Sequence, residues 1–257
     1  MKAGSLTLDV FDLNLRFGRA ADGPQAWAFR REVLHMLLQR ESADFYCFQE
    51  ANDFQAAFLT DCLPSCRCIG QRSPAPDFWQ NNLIFYRPPW RLGAHEHFFL
   101  SPTPGIPSRW PDSRWPRQCT LGLFARDDGR QMLVASTHLD FQSAVQVRSA
   151  ALIAQRLAAY GAGHPAVLAG DFNCLPFSAC HTALTSGPHG FRNALAPDYP
   201  GTFHGFAGGA GQGCIDWILY RGGLSHVKTT IVRANGNGVY PSDHFPLVAR
   251  FRLDPSH

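Results

Sequence analysis

Nine short runs rich in apolar and β-branched residues, each four to six residues long, recur along this chain, while only two long stretches show helical spacing. The runs are LTLDV (6–10), DFYCF (44–48), NLIFY (82–86), LGLFA (121–125), MLVAST (132–137), AVLA (166–169), IDWILY (215–220), TTIV (229–232) and PLVARF (246–251). Runs of this length suit strands. In 24–40, Trp27, Leu34, Leu37 and Leu38 share one helical face, with Pro24 placed for a first turn. In 143–160, Leu152, Ile153, Leu157 and Tyr160 do the same, and a shorter helix is expected over 52–61. RDDGR reads as a hairpin turn between 121–125 and 132–137. Strands that outnumber helices and are partly joined by hairpins predict an α/β fold of two packed mixed sheets flanked by helices, rather than an all-parallel wound sheet.

The Pro-rich 101–116 and Gly-rich 205–213 segments read as long loops of a single domain over 1–257, not as linkers between two cores. With 45% apolar and 17% charged residues the chain is not of the disordered class. A net charge of +3 is too small for a nucleic-acid coat, so local clusters matter more: RFGR (16–19), FRR (29–31) and the Arg-rich 109–117. No apolar run approaches the roughly 18 residues that span a bilayer, and MKAGSLTLDV lacks the apolar centre of a secretory signal. The eight cysteines are scattered through strand-like runs, as expected of reduced, buried thiols in a cytoplasmic protein. Cys62, Cys66 and Cys68 have no companion pair at zinc-finger spacing.

Polar residues interrupt the apolar runs in a pattern. Asn14 follows LDVFDL, Glu50 follows FYCFQ, His138 follows LVAST, and Asp171 and Asn173 follow AVLAG. Asp216 sits in CIDWILY, and Asp243 and His244 precede FPLVARF. One such residue is turn punctuation; six runs so marked predict strand ends converging on one polar pocket. Magnesium takes one or two carboxylates and keeps several waters, and Glu50, Asp243 and Asn14 are oxygen donors of that kind. Phosphoester hydrolysis also needs an oriented water, a base and positive charge on the developing oxyanions. Two histidines and an Asp-x-Asn pair supply these.

QE (49–50), STHLD (136–140), GDFN (170–173), IDWIL (215–219) and SDHFPL (242–247) resemble, in this order, the endonuclease/exonuclease/phosphatase superfamily. The likeness runs from Asn14 to Phe251. It implies a four-layer α/β sandwich and a divalent-metal-dependent phosphoester hydrolase, with Mg2+ as cofactor, Mn2+ as substitute, and direct in-line attack by water. Carried over by motif, Glu50 is the principal metal ligand, with Asn14 and Asp243 beside it. His138 stabilises phosphate or moves a proton, with Asp216 on its far ring nitrogen. Asp171 orients the attacking water, Asn173 bonds a phosphate oxygen, and His244 contacts the scissile phosphate.

FFLSPTPGIP (98–107), WPRQCT (115–120) and GTFHGF (201–206) are similar to a bacterial, deadenylase-related subgroup, which implies Arg117 as a phosphate contact and makes Asn82 and His204 candidate substrate-wall residues. That subgroup often has a glutamate where this chain has Gln80, a carboxylate that would orient the histidine matching His244. A neutral amide there is expected to support an imidazolium less. The basic, aromatic segment 109–117 favours phosphodiesters of nucleic acid or nucleotides as substrate. The alternatives are a phosphomonoesterase on a small sugar or inositol phosphate, and a catalytically impaired binding module.

Overall fold

The structure, a computed structural model, describes residues 5–161, 163–196 and 198–254. In chain order the strands and helices are β1 (Leu6–Asn14), α1 (Trp27–Arg40), β2 (Phe45–Ala51), α2 (Asp53–Cys62), β3 (Arg67–Ile69) and β4 (Asn81–Tyr86). Next come β5 (Arg91–Phe99), β6 (Gln118–Ala125), β7 (Gln131–His138), α3 (Ser143–Ala159), β8 (Ala166–Asp171) and α4 (Ala179–Thr185). The last are β9 (Arg192–Asn193), β10 (Asp216–Arg221), β11 (Leu224–Ile231) and β12 (Leu247–Leu253). Each expected run lies in a strand to within one residue, Asp44, Ile215, Val232 and Pro246 falling just outside, and the three expected helices are α1, α2 and α3.

Two six-stranded sheets result, in the orders β11-β12-β1-β2-β4-β3 and β5-β6-β7-β8-β10-β9. The middle pair of each sheet, β1–β2 and β7–β8, is parallel. All other pairings are antiparallel, so both sheets are mixed. Alternation along β1 shows the layering. Leu8 and Val10 join the large apolar cluster shared with the second sheet, while Phe11 and Leu13 pack with Leu34, Leu37 and Leu38 of α1. α3 covers the other sheet with Ala150, Ile153 and Leu157. Helices outside two face-to-face sheets give the four-layer sandwich.

Local chemistry explains most boundaries. α2 starts at a capping box, with Asn52 and Gln55 exchanging side-chain and backbone bonds. The RDDGR turn closes through Arg126 N donating to Arg130 O at 2.9 Å, with Gly129 at φ 83°. β5, absent from the sequence expectation, is a sheet-edge strand exposed or half-buried up to His97, so RLGAHEHFF needs no apolar alternation. α4 is only seven residues long and rests on the cap His181 N to Ser178 Oγ. All eight cysteines are free. Among the described residues no helix is long and apolar enough to cross a membrane.

Candidate active site

Both parallel strand pairs end at one edge of the sandwich, where β1 delivers Asn14, β2 Glu50, β7 His138 and β8 Asp171. The antiparallel β10 begins at Asp216, directly opposite Asp171. Asp243 and His244 arrive just before β12. The chain contorts to place them. Glu50 has φ 60°, inside a register shift between Phe48 and Ala51, and Asn173 has φ 50°. Left-handed backbone at a non-glycine residue costs about 1–3 kcal/mol and persists only where surrounding bonds enforce it. Gly170 has φ 149°, and a Cβ there would lie 2.0 Å from Thr137 O, so only glycine lets β8 press against the residue preceding His138.

Asn14 bridges the two sheets. Its Nδ2 donates to Glu50 Oε1 at 3.3 Å and to Asp171 Oδ2 at 3.0 Å, while its Oδ1 accepts from Arg16 N at 2.9 Å. Glu50 Oε2 accepts from Phe17 N at 2.6 Å. Asp243 Oδ2 lies 3.7 Å from Arg16 Nε, and its neighbour Ser242 donates through Oγ to Asn14 O at 2.5 Å. Burial, then the nearby Asp216 charge, raises Asp171 to about 7, against the His244 charge and the bonds from Asn14 and Asn173 N.

The two histidines differ in what holds Nδ1. For His244 it is Asp216, with oxygens at 3.0 and 2.9 Å. Burial opposes charge on this ring, but Asp216, with Asp171 and Asp243 beyond it, outweighs burial and lifts it to about 10. Its Nε2 stands 3.9 Å from both Asp171 Oδ2 and Asp243 Oδ1. For His138 it is Arg117, with Nη1 at 3.1 Å. A guanidinium only donates, so Nδ1 accepts and the ring proton is assigned to Nε2, which faces Asp171 Oδ2 at 3.3 Å. Burial first, then the Arg117 and His244 charges, push this ring well below the ordinary histidine range. Asn173 Nδ2 donates to Leu139 O at 3.0 Å and lies 3.0 Å from that Nε2.

These contacts correct two expectations. Asp216 bonds His244, not His138, and an arginine rather than a carboxylate fixes the tautomer of His138. Gln80 is not the orienting group of His244, because Asp216 fills that place; Gln80 contributes its backbone oxygen to Gln118 Nε2. Of the other candidates, Asn82 is 2% exposed and gives its amide to Gln118 O at 2.7 Å. His204 is 1% exposed, stacked 3.9 Å from Phe245, with Nδ1 accepting from Gly208 N, and none of the cluster's hydrogen bonds includes its side chain. Both are wall and loop supports in this geometry. Asp140 was read only as part of a motif. Its Oδ2 accepts from Ser113 Oγ at 2.6 Å and Arg114 N at 3.2 Å, pinning the 109–117 loop beside His138.

The donor set fits a hard divalent cation. Carboxylates of Glu50, Asp171 and Asp243 gather around the Asn14 carboxamide, whose Nδ2 meets Glu50 and Asp171, with the Arg16 guanidinium and the His244 ring at their margin. Asp171, Asp216 and His244 also bring one ligand atom each within 4.8 Å of one another. In that trio both Asp216 oxygens are committed to His244 Nδ1, which leaves Asp171 as its open donor.

The model of the endonuclease/exonuclease/phosphatase family matches residues 13–244, from the end of β1 through His244. The chain belongs to this family. Members are phosphoester hydrolases, generally dependent on a divalent metal. A family protein from Bacteroides thetaiotaomicron has 26% identity and TM-score 0.87, covering 98% of this chain and 100% of that one. The mannosyl-6-phosphatase of the same organism has 26% identity and TM-score 0.84, covering 95% and 99%. D. rerio TDP2, complexed with a single-strand DNA product, shares the fold at 14% identity and TM-score 0.75, covering 95% and 98%. No curated protein sequence matches significantly. These likenesses establish the family and not the deadenylase-related subgroup.

Proposed function

We propose that this chain is a magnesium-dependent hydrolase of small phosphomonoesters, such as sugar phosphates, in which water attacks phosphorus directly. The observation that carries this reading is the confinement of the polar cluster. Side chains of Asp171, His138, His244 and Asp243 are 3%, 5%, 6% and 7% exposed, and Glu50 is 16% exposed. A terminal phosphate enters such a recess end-on, whereas an internal diester must bring chain in on both sides. The basic segment that favoured nucleic acid is also largely occupied with itself. Arg109 donates to Arg114 O, Arg114 lies over Trp115, and Arg148 pairs with Asp112 beneath Trp110. The 26%-identical mannosyl-6-phosphatase supports a sugar phosphate.

In this reading Asn14, Glu50 and Asp243 hold Mg2+, or Mn2+ in its place. When bound, the ion neutralises phosphate charge and polarises the phosphorus–oxygen bonds. Asp171, with its raised proton affinity, orients the water and takes its proton. Asn173 and Arg117 bind phosphate oxygens, a bidentate guanidinium being suited to that task. His138 stays neutral and steadies Asp171 through Nε2–H. His244, protonated against Asp216, directs Nε2–H at the oxygen on which charge develops. The eight free cysteines fit a cytoplasmic setting.

A second reading, phosphodiester cleavage in nucleic acid, is favoured by Trp115 and Phe141, 50% and 60% exposed, with Arg117 against Phe141 at 5.6 Å. Bases stack on such faces. Turnover of hexose phosphates, inositol phosphates, single- and double-stranded DNA and RNA with Mg2+ or Mn2+ separates the two. Activity confined to polynucleotides overturns the monoester reading, and inactivity on the whole panel overturns both.

A further inference from the structure

The first turn of α1 carries a charge on its apolar stripe. Arg30 lies among Val33, Leu34, Leu37 and Leu38 and is 0% exposed. Among the described residues it makes no ion pair; Asp243, Asp22 and Glu50 act on it only at longer range. Its hydrogen-bond partners are three backbone carbonyls. Nη1 donates to Leu15 O at 2.5 Å and Pro241 O at 3.1 Å, and Nη2 donates to Arg16 O at 3.0 Å. A buried guanidinium is costly, and these bonds are its compensation.

Peptide planarity turns these bonds into a statement about the site. The C=O of one residue and the N–H of the next share a trans planar unit and point in opposite directions. Holding Leu15 O toward α1 therefore aims Arg16 N–H the other way, where it donates to Asn14 Oδ1 at 2.9 Å. Holding Arg16 O toward α1 aims Phe17 N–H away likewise, where it donates to Glu50 Oε2 at 2.6 Å. In an extended strand successive carbonyls alternate; Arg16, at φ 62°, breaks the alternation and lets one guanidinium collect both. The third bond holds Pro241, two residues before Asp243, to the same group.

We propose that Arg30 is the positioning residue for the metal-binding end of this site, fixing through three carbonyls the peptide groups that aim Asn14 and Glu50 and the segment that carries Asp243. This rests on the reading of those three residues as metal ligands. The sequence marks Arg30 only as part of the basic FRR (29–31); its helical spacing from Trp27 and Leu34, which puts it on the apolar face while Arg31 falls off it, was the signal that separates the two.

The test is Mn2+ binding to the full chain by calorimetry, alongside Mn2+-dependent turnover. Arg30→Lys keeps the charge but not the planar fork. It is expected to bind Mn2+ at least tenfold more weakly than wild type, with KM for the phosphoester at saturating Mn2+ changed less than twofold. A purely structural role lowers the folded fraction and leaves the Mn2+ affinity of the folded protein alone, so an unchanged affinity overturns the proposal. If Arg30→Lys does not fold, Gln55→Met serves, because Gln55 Nε2 is a further donor to Arg16 O, at 3.2 Å. It is expected to weaken Mn2+ about threefold, and no change again overturns the proposal. Wild type that binds Mn2+ but hydrolyses no phosphoester removes the proposed function and leaves the Arg30 comparison decisive; wild type that binds no Mn2+ removes the metal site and Arg30's role together.

Discussion

His138 and His244 face the same Asp171 carboxylate, and opposite charges hold their far nitrogens. Arg117 makes one ring a neutral Nε2–H donor; Asp216 makes the other a cation with two N–H groups. Both are almost fully buried, so burial does not separate them. The charge placed on Nδ1 does. In the proposed reaction one residue type thus fills two positions, a fixed dipole supporting the base and a fixed charge facing the phosphate.

The strongest way to break this contrast is Asp216→Asn. Without its counter-charge the His244 ring loses its proton near neutrality, and kcat is expected to fall by about 10²–10³-fold, the usual cost of removing a donor to a developing oxyanion. The pair also marks stability. The ring stands at about 10 in the folded chain against an ordinary 6.5, so its contribution is full below pH 6.5 and is lost as pH rises through about 10. Denaturant titrations should show that alkaline decline in wild type and not in Asp216→Asn; a decline in both removes the assignment.

Gly170→Ala attacks the β7–β8 seam behind His138. The new Cβ meets Thr137 O on strand β7. A loss of about 3 kcal/mol in urea unfolding is expected, in the range of a backbone position that only glycine satisfies. A loss below about 1 kcal/mol would show that β7 and β8 can separate there without cost.

Arg117→Met sharpens the comparison by freeing His138 Nδ1. The ring's proton affinity should rise, since a neighbouring cation is removed, while burial still holds it down. We expect kcat/KM to fall about 10–100-fold, from the lost phosphate contact and the scrambled tautomer. In NMR of the histidine rings, His138 should be a single Nε2–H tautomer in wild type and mixed in the variant.

The smallest effect is a pH dependence belonging to neither histidine. With Asp171 at about 7 before a cation binds, that proton must leave for the carboxylate to face a divalent ion. Apparent Mn2+ affinity should therefore climb about tenfold per pH unit below pH 7 and level off above it. A flat profile between pH 5 and 8 means that Asp171 is already ionised and needs another account.

Much of this was readable from the sequence because the site residues end apolar runs, and such runs are the strands. The edge strand β5 escaped, since one exposed flank removes the alternation that marks a strand, and α4 is too short to show a period. Partner choice within the site was less legible. Asp216 stands 28 residues from His244, and only the sandwich decides which ring it meets. The Arg117–His138 contact was within reach, because the RDDGR hairpin sets Cys119 opposite Thr137 and thereby carries their neighbours together. The backbone N–H groups of Arg16 and Phe17 could not be seen, for they depend on a left-handed residue that no side chain announces.

The strand order holds a consequence for how the molecule is made. β12 is synthesised after the other eleven strands, yet it lies between β11 and β1 rather than at an edge. Until it leaves the ribosome, β1 presents an unpaired flank, and Asp243 and His244 are not yet in place beside Asn14. The central sheet-forming segment from β5 to β10 can pair completely beforehand, whereas the other sheet must wait with its middle open. A nascent or prematurely ended chain is therefore inactive and offers a raw strand edge to its neighbours, so aggregation during slow expression should begin from β1.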